Sequence, residues 1–112
     1  MSNGQPTQDS VLTSLGTAAH AAFLAYQAAQ TANPGADTSQ LYMQWMTASN
    51  IYSAAAAKSL TQDPAVASAQ SDLDSLTKTI TNELKTIQNV SSWITLVGNL
   101  VQLATTVAKF FV

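Results

Sequence analysis

Residues 66–112 read VASAQ SDLDSLTKTI TNELKTIQNV SSWITLVGNL VQLATTVAKF FV, and their apolar positions recur in alternating steps of three and four. The series runs Val66, Ala69, Leu73, Leu76, Ile80, Glu83, Ile87, Val90, Ile94, Val97, Val101, Ala104, Ala108 and Phe111. That spacing lines one side of a helix. Glu83 alone breaks the rule, and Leu84 beside it fills the gap. Beyond Lys85 the only charged side chain is Lys109. So apolar a helix must be covered by its own bundle, another copy, a partner or a lipid surface.

As one helix, 64–111 would span roughly 70 Å at ~1.5 Å per residue, and half its seam would lack anything to pack against. Asn89-Val90-Ser91-Ser92 offers a break, because Asn can close a helix and Ser can cap the next. The expected fold is an all-α, up-and-down bundle of four helices near 8–32, 38–61, 64–89 and 92–110. The alternative keeps three helices, the last long and projecting, dimerised as a coiled coil.

Working back along the chain, Asp63-Pro64 is a helix-start signal. It leaves two or three residues between the second and third helices, which must then lie antiparallel or sharply angled. Asp37 with Gln40 fits a capping box at the start of the second helix. Asn33-Pro34-Gly35 stops the first, and Thr7 or Asp9 caps it. Alanines at four-residue spacing in 18–32, with the Ala54–Ala57 patch, predict a close hairpin of helices one and two. Residues 1–7 read as a mobile tail and 8–112 as a single domain.

The 112 residues are 46% hydrophobic but only 9% charged, against about 25% in typical domains. Ser, Thr, Gln and Asn must therefore supply the polar surface. The four basic residues are all lysine, and net charge is −2, so phosphate neutralisation has no source and nucleic-acid binding is not expected. Cysteine is absent, which excludes disulfides and thiolate metal sites. The first ten residues lack the positive region and apolar run of a secretory signal. The expectation is a chain that stays in the cytoplasm or leaves without a cleavable leader.

Chemistry has little to stand on. The single histidine, His20, falls on the Thr13/Thr17/Gln27 face, which reads as solvated. Asp72 and Asp74 point to different sides of a helix and form no carboxylate pair. No Gly-rich phosphate loop, Ser-His-Asp set or His-x-x-x-His occurs. No catalytic residue, cofactor-binding residue or metal ligand is assigned, and no cofactor is expected.

Contact surfaces are better represented. Tyr42, Met43, Trp45, Met46 and Tyr52 cluster on helix two, with Tyr42 and Met46 on its flank. In the last helix Thr95, Asn99, Gln102, Thr106 and Lys109 form a narrow polar stripe, and the rest is apolar. The interaction residues expected from sequence are Tyr42, Trp45, Met46, Trp93, Leu96, Leu100, Leu103, Phe110 and Phe111. The function expected is a non-enzymatic helical interaction or self-assembly protein, as a homo-oligomer or with a helical partner. Its alternative is a membrane-active or leaderless-exported protein whose amphipathic last helix leaves the bundle and inserts into lipid or a partner. AAFLAYQAAQ at 21–30 resembles, in composition alone, the small R-body structural proteins of bacteria. The likeness covers one helix and no ordered motif, and implies at most a bacterial assembly protein.

Overall fold

In a computed structural model that describes residues 5–87 and 89–112, the chain forms four helices. They are α1 (Gln8–Ala32), α2 (Ser39–Ala56), α3 (Ala65–Asn82) and α4 (Val90–Ala108). The architecture is an all-α bundle.

Local signals explain most of the ends. Thr7 Oγ1 accepts from the Ser10 amide at 3.1 Å and caps α1. Gly35, at φ 86°, takes the left-handed conformation that lets the chain turn after Asn33-Pro34. Asp37 Oδ1 accepts from Ser39 N at 3.0 Å and Ser39 Oγ at 2.6 Å. Those two bonds hold the Asp37 carboxyl below its usual value, the hydroxyl bond first. Their stabilisation is present above the ordinary carboxylate pKa and is lost as pH falls through the lowered one. Asp63 Oδ1 accepts from Ala65 N at 2.9 Å, as the Asp-Pro signal required. Asn89 Oδ1 accepts from Ser91 N at 2.8 Å, so Asn89 caps α4 rather than closing α3.

Two boundaries differ from the sequence reading by more than a turn. α2 ends at Ala56, not near 61, because the chain beyond it is drawn out by the C-terminal segment. Ser59 N donates to Val112 O at 3.1 Å, Val112 N to Ser59 O at 2.9 Å, and Thr61 N to Phe110 O at 2.7 Å. The α2–α3 connection is consequently 57–64, longer than two or three residues. α3 ends at Asn82, where Glu83 starts a turn closed by Thr86 N and Ile87 N on Glu83 O at 3.0 and 3.1 Å. The long single helix is thereby excluded. Glu83 breaks the seam because the helix stops there.

Of the expected tail, residues 1–4 lie outside the described residues. Gln5 is part-buried and grips the connector: its Nε2 donates to Thr61 O and its Oε1 accepts from Asp63 N, both at 2.6 Å. Gln8 Oε1 accepts from Leu60 N at 2.9 Å. The connector is thus held on one side by the start of the chain and on the other by 110–112.

Packing follows a rhomb. α1 touches α2, α3 and α4, while among the described residues α2 and α3 do not touch. α1 and α4 therefore form the short diagonal, and α2 and α3 occupy the acute corners. Gln70 Nε2 donates to Ser14 Oγ at 3.0 Å near the N-terminal ends of α1 and α3, which run parallel. Gln44 Nε2 donates to Ile94 O at 3.1 Å near those of α2 and α4, which run the other way. The molecule is correspondingly flat, 51 × 24 × 16 Å.

Position in the rhomb sets burial. On central α1, Val11, Leu15, Ala18, Ala21, Ala22, Ala25 and Ala29 are buried. Small side chains let three neighbours approach one helix closely. The alanines thus serve the whole centre of the bundle and not only the α1–α2 hairpin. α4 contributes Trp93, Val97, Leu100, Ala104 and Val107, and α3 contributes Val66, Leu73, Thr77 and Ile80. At its corner α2 buries only Leu41, Ala48 and Ala55.

Candidate interaction surface

No charged residue lies between Asp37 and Lys58, so α2 is uncharged from end to end. α1 carries only Asp9 and the single His20. Charge is concentrated at the opposite corner, where α3 and its following turn hold Asp72, Asp74, Lys78, Glu83 and Lys85. The two acute corners of the rhomb are therefore chemically unlike.

The uncharged corner also carries the exposed apolar side chains. Among the described residues the large hydrophobics left in solvent are Tyr42 (44% exposed), Met43 (65%), Met46 (40%), Tyr52 (39%) and Val112 (73%). All but Val112 belong to α2. A helix with apolar residues on more sides than its bundle covers leaves a surface that marks contact sites in folded proteins.

A set of rings joins this surface to α1. Phe23 and Trp45 have centroids 4.7 Å apart. Tyr26 stacks on Trp45 at 6.2 Å and 18°. Tyr42 meets the edge of Trp45 at 5.6 Å and Tyr26 at 5.8 Å. Each such pair is worth about 0.5–1.5 kcal/mol beyond its buried area. Further along, a Cβ on Gly16 would stand 3.2 Å from Tyr52 Cε1, so the missing side chain is what lets that ring lie against α1. Trp45 is the half-buried hub of this surface rather than its outermost group.

The remaining expected contact residues divide. Trp93, Leu100 and Phe111 are in the core, which corrects the expectation that they present a surface. Trp93 also donates from Nε1 to Ile87 O at 3.2 Å, tying the first turn of α4 to the preceding loop. Leu96, Leu103 and Phe110 are half-buried against the core. Leu103 faces Leu76 across an open α3–α4 groove of about 660 Å³ that Asp72, Asn99 and Gln102 also line. The stripe Thr95, Asn99, Gln102, Thr106 and Lys109 is exposed along its length. The sequence places Met43 in the helix-two cluster but not among the expected contact residues, although it is the most exposed large hydrophobic of α2. The signal was available: Met43, Met46 and Asn50 continue one uncharged face at helical spacing.

His20 is exposed beside Phe23, with centroids 6.4 Å apart. Among the described residues no group of three or more His, Asp or Glu converges as metal ligands would. α4 is the one described helix long and apolar enough to cross a membrane by length and composition, with a mean hydropathy of 1.2. No protein family, curated protein or solved structure gives a significant match to this chain.

Proposed function

We propose that this chain is a non-enzymatic helical interaction protein, and that its contact surface is the outward face of α2. The carrying observation is the coincidence of three properties on one helix. α2 sits at a corner of the bundle, has no charge, and holds Tyr42, Met43, Met46 and Tyr52 in solvent. Aromatic residues and Met are enriched, and charges depleted, at the centres of protein interfaces. The ring set with Phe23, Tyr26 and Trp45 holds the face in place before a partner arrives, which lowers the ordering cost of binding.

A photo-activated cross-linking residue tests this in the producing cell. Placed at Met43 it is expected to trap protein, whereas at exposed Ser75 on α3 it is not. Equal trapping at both positions, or trapping at Ser75 alone, overturns the reading.

The length and hydropathy of α4 favour a second reading, in which that helix enters lipid. Its cost weighs against it. Withdrawing α4 into lipid re-covers its own apolar side chains but exposes to water the core residues it covers on α1, α2 and α3, at about 1.5–3 kcal/mol for each large one. That sum rivals the whole stability of a domain, about 5–15 kcal/mol. Insertion would also break the pairing of 110–112 with 59–61.

A further inference from the structure

Met43, Met46, Asn50, Ser53 and Ala57 recur in steps of three and four along the outward side of α2 and its C-cap, and all are exposed. This seam is graded in size. Its N-terminal end carries two methionines, its C-terminal end Ser53, Ala54 and Ala57, and Asn50 stands midway.

We propose that the occupant of this face is a second copy of the chain, packed α2 against α2 in antiparallel sense about a two-fold axis at Asn50. The proposal rests on the α2 face being a contact surface, and names what covers it. Under that two-fold, Met43 lies over Ala57 of the partner subunit. Met46 lies over Ser53 and Ala54 of the partner subunit, and Asn50 meets its own equivalent. Large side chains then fall on small ones at both ends, as knobs in holes require. Parallel pairing sets methionine on methionine at one end and leaves a gap between small residues at the other.

Charge and polarity fit the same operation. A face with no charge meets itself without like-charge repulsion and desolvates no ion. Two carboxamides facing each other each offer a donor and an acceptor, and an Asn pair enclosed in a seam fixes register. The contact is small. An 18-residue helix is ~27 Å long at ~1.5 Å per residue. Even with Tyr42 and Tyr52 at its rim, one helix pair buries less than the ~1,200 Å² of stable complexes. The dimer is therefore reversible, dissociating within the micromolar-to-millimolar range of small, transient contacts.

Sedimentation equilibrium of the full chain, loaded over roughly 5 µM to 1 mM to bracket that range, is the test. The expected mass rises toward twice the monomer, and Met46→Asp holds it at the monomer while the circular dichroism spectrum is unchanged. Register is read separately. The chain has no cysteine, so one introduced thiol is a unique reporter. Under mild oxidation Asn50→Cys is expected to give a covalent dimer, and Met43→Cys is not. A monomer at every concentration, a dimer indifferent to Met46→Asp, or equal cross-linking at positions 43 and 50 overturns the proposal. If the chain stays monomeric while the cross-linker at Met43 traps a different protein, this inference falls and the contact-surface reading stands. If nothing is trapped, both fall.

Discussion

Leu100→Asp is expected to abolish the folded state at neutral pH. Leu100 is completely buried on the inward side of α4, the helix that forms the short diagonal of the bundle with α1. The substitution removes about 1.5–3 kcal/mol of apolar burial. It also asks a carboxylate to enter the hydrophobic core, and an unpaired buried charge costs several kcal/mol more. Together these reach the ~5–15 kcal/mol that hold a domain of this size. Far-ultraviolet circular dichroism should lose its helical bands, and no cooperative thermal transition should remain. A variant that melts within a few degrees of the parent would mean that this side of α4 is not enclosed.

Trp93→Ala is the second large effect, by a different route. The largest fully buried side chain of the molecule is removed, leaving a cavity and the Ile87 carbonyl without its indole donor. Phe or Trp to Ala in a core costs about 3–5 kcal/mol. For a domain near 100 residues each kcal/mol lowers Tm by about 4–8 °C, so a fall of at least ~12 °C is expected in a thermal scan. Met43→Ala on the outer face of α2 is the contrast, with an expected change within about 0.5 kcal/mol. Similar losses at the two positions would contradict the assignment of α4 to the core and α2 to the surface.

Much of the fold was legible because its causes are local. Thr7 and Asn33-Pro34-Gly35 set the ends of α1, and Asp63-Pro64 starts α3. The polar stripe from Thr95 to Lys109 is exposed as its spacing implied. The end of α2 was not legible. Lys58 to Thr61 has no strong breaker, and what extends it is a pairing with 110–112 some fifty residues away. The end of α3 was half-legible, since Glu83 in an apolar seam was the local sign of a terminus and was read as a drift of the seam.

The contact surface was harder for the same reason. Periodicity describes one helix at a time, and both α2 and α4 carry more apolar surface than a single neighbour covers. Which is enclosed depends on which corner of the rhomb each occupies, and that is settled by all four helices together. Trp93, Leu100 and Phe111 read as surface candidates because α4 is so apolar, and its central position is what makes it apolar. Tyr42 and Met46, on a helix with weaker periodicity, are the residues left outside.

The placement of α4 carries the rest, because with its inward side in the core the exposed large hydrophobics of the described helices all lie on α2. Tryptophan emission of the Trp45→Phe variant, in buffer and with liposomes, reports it directly, since Trp93 is then the only indole. With Trp93 enclosed in the core, the expected emission is blue-shifted in buffer and unmoved by lipid. Red emission in buffer, shifting to the blue as liposomes are added, would contradict that placement and give α4 to the membrane.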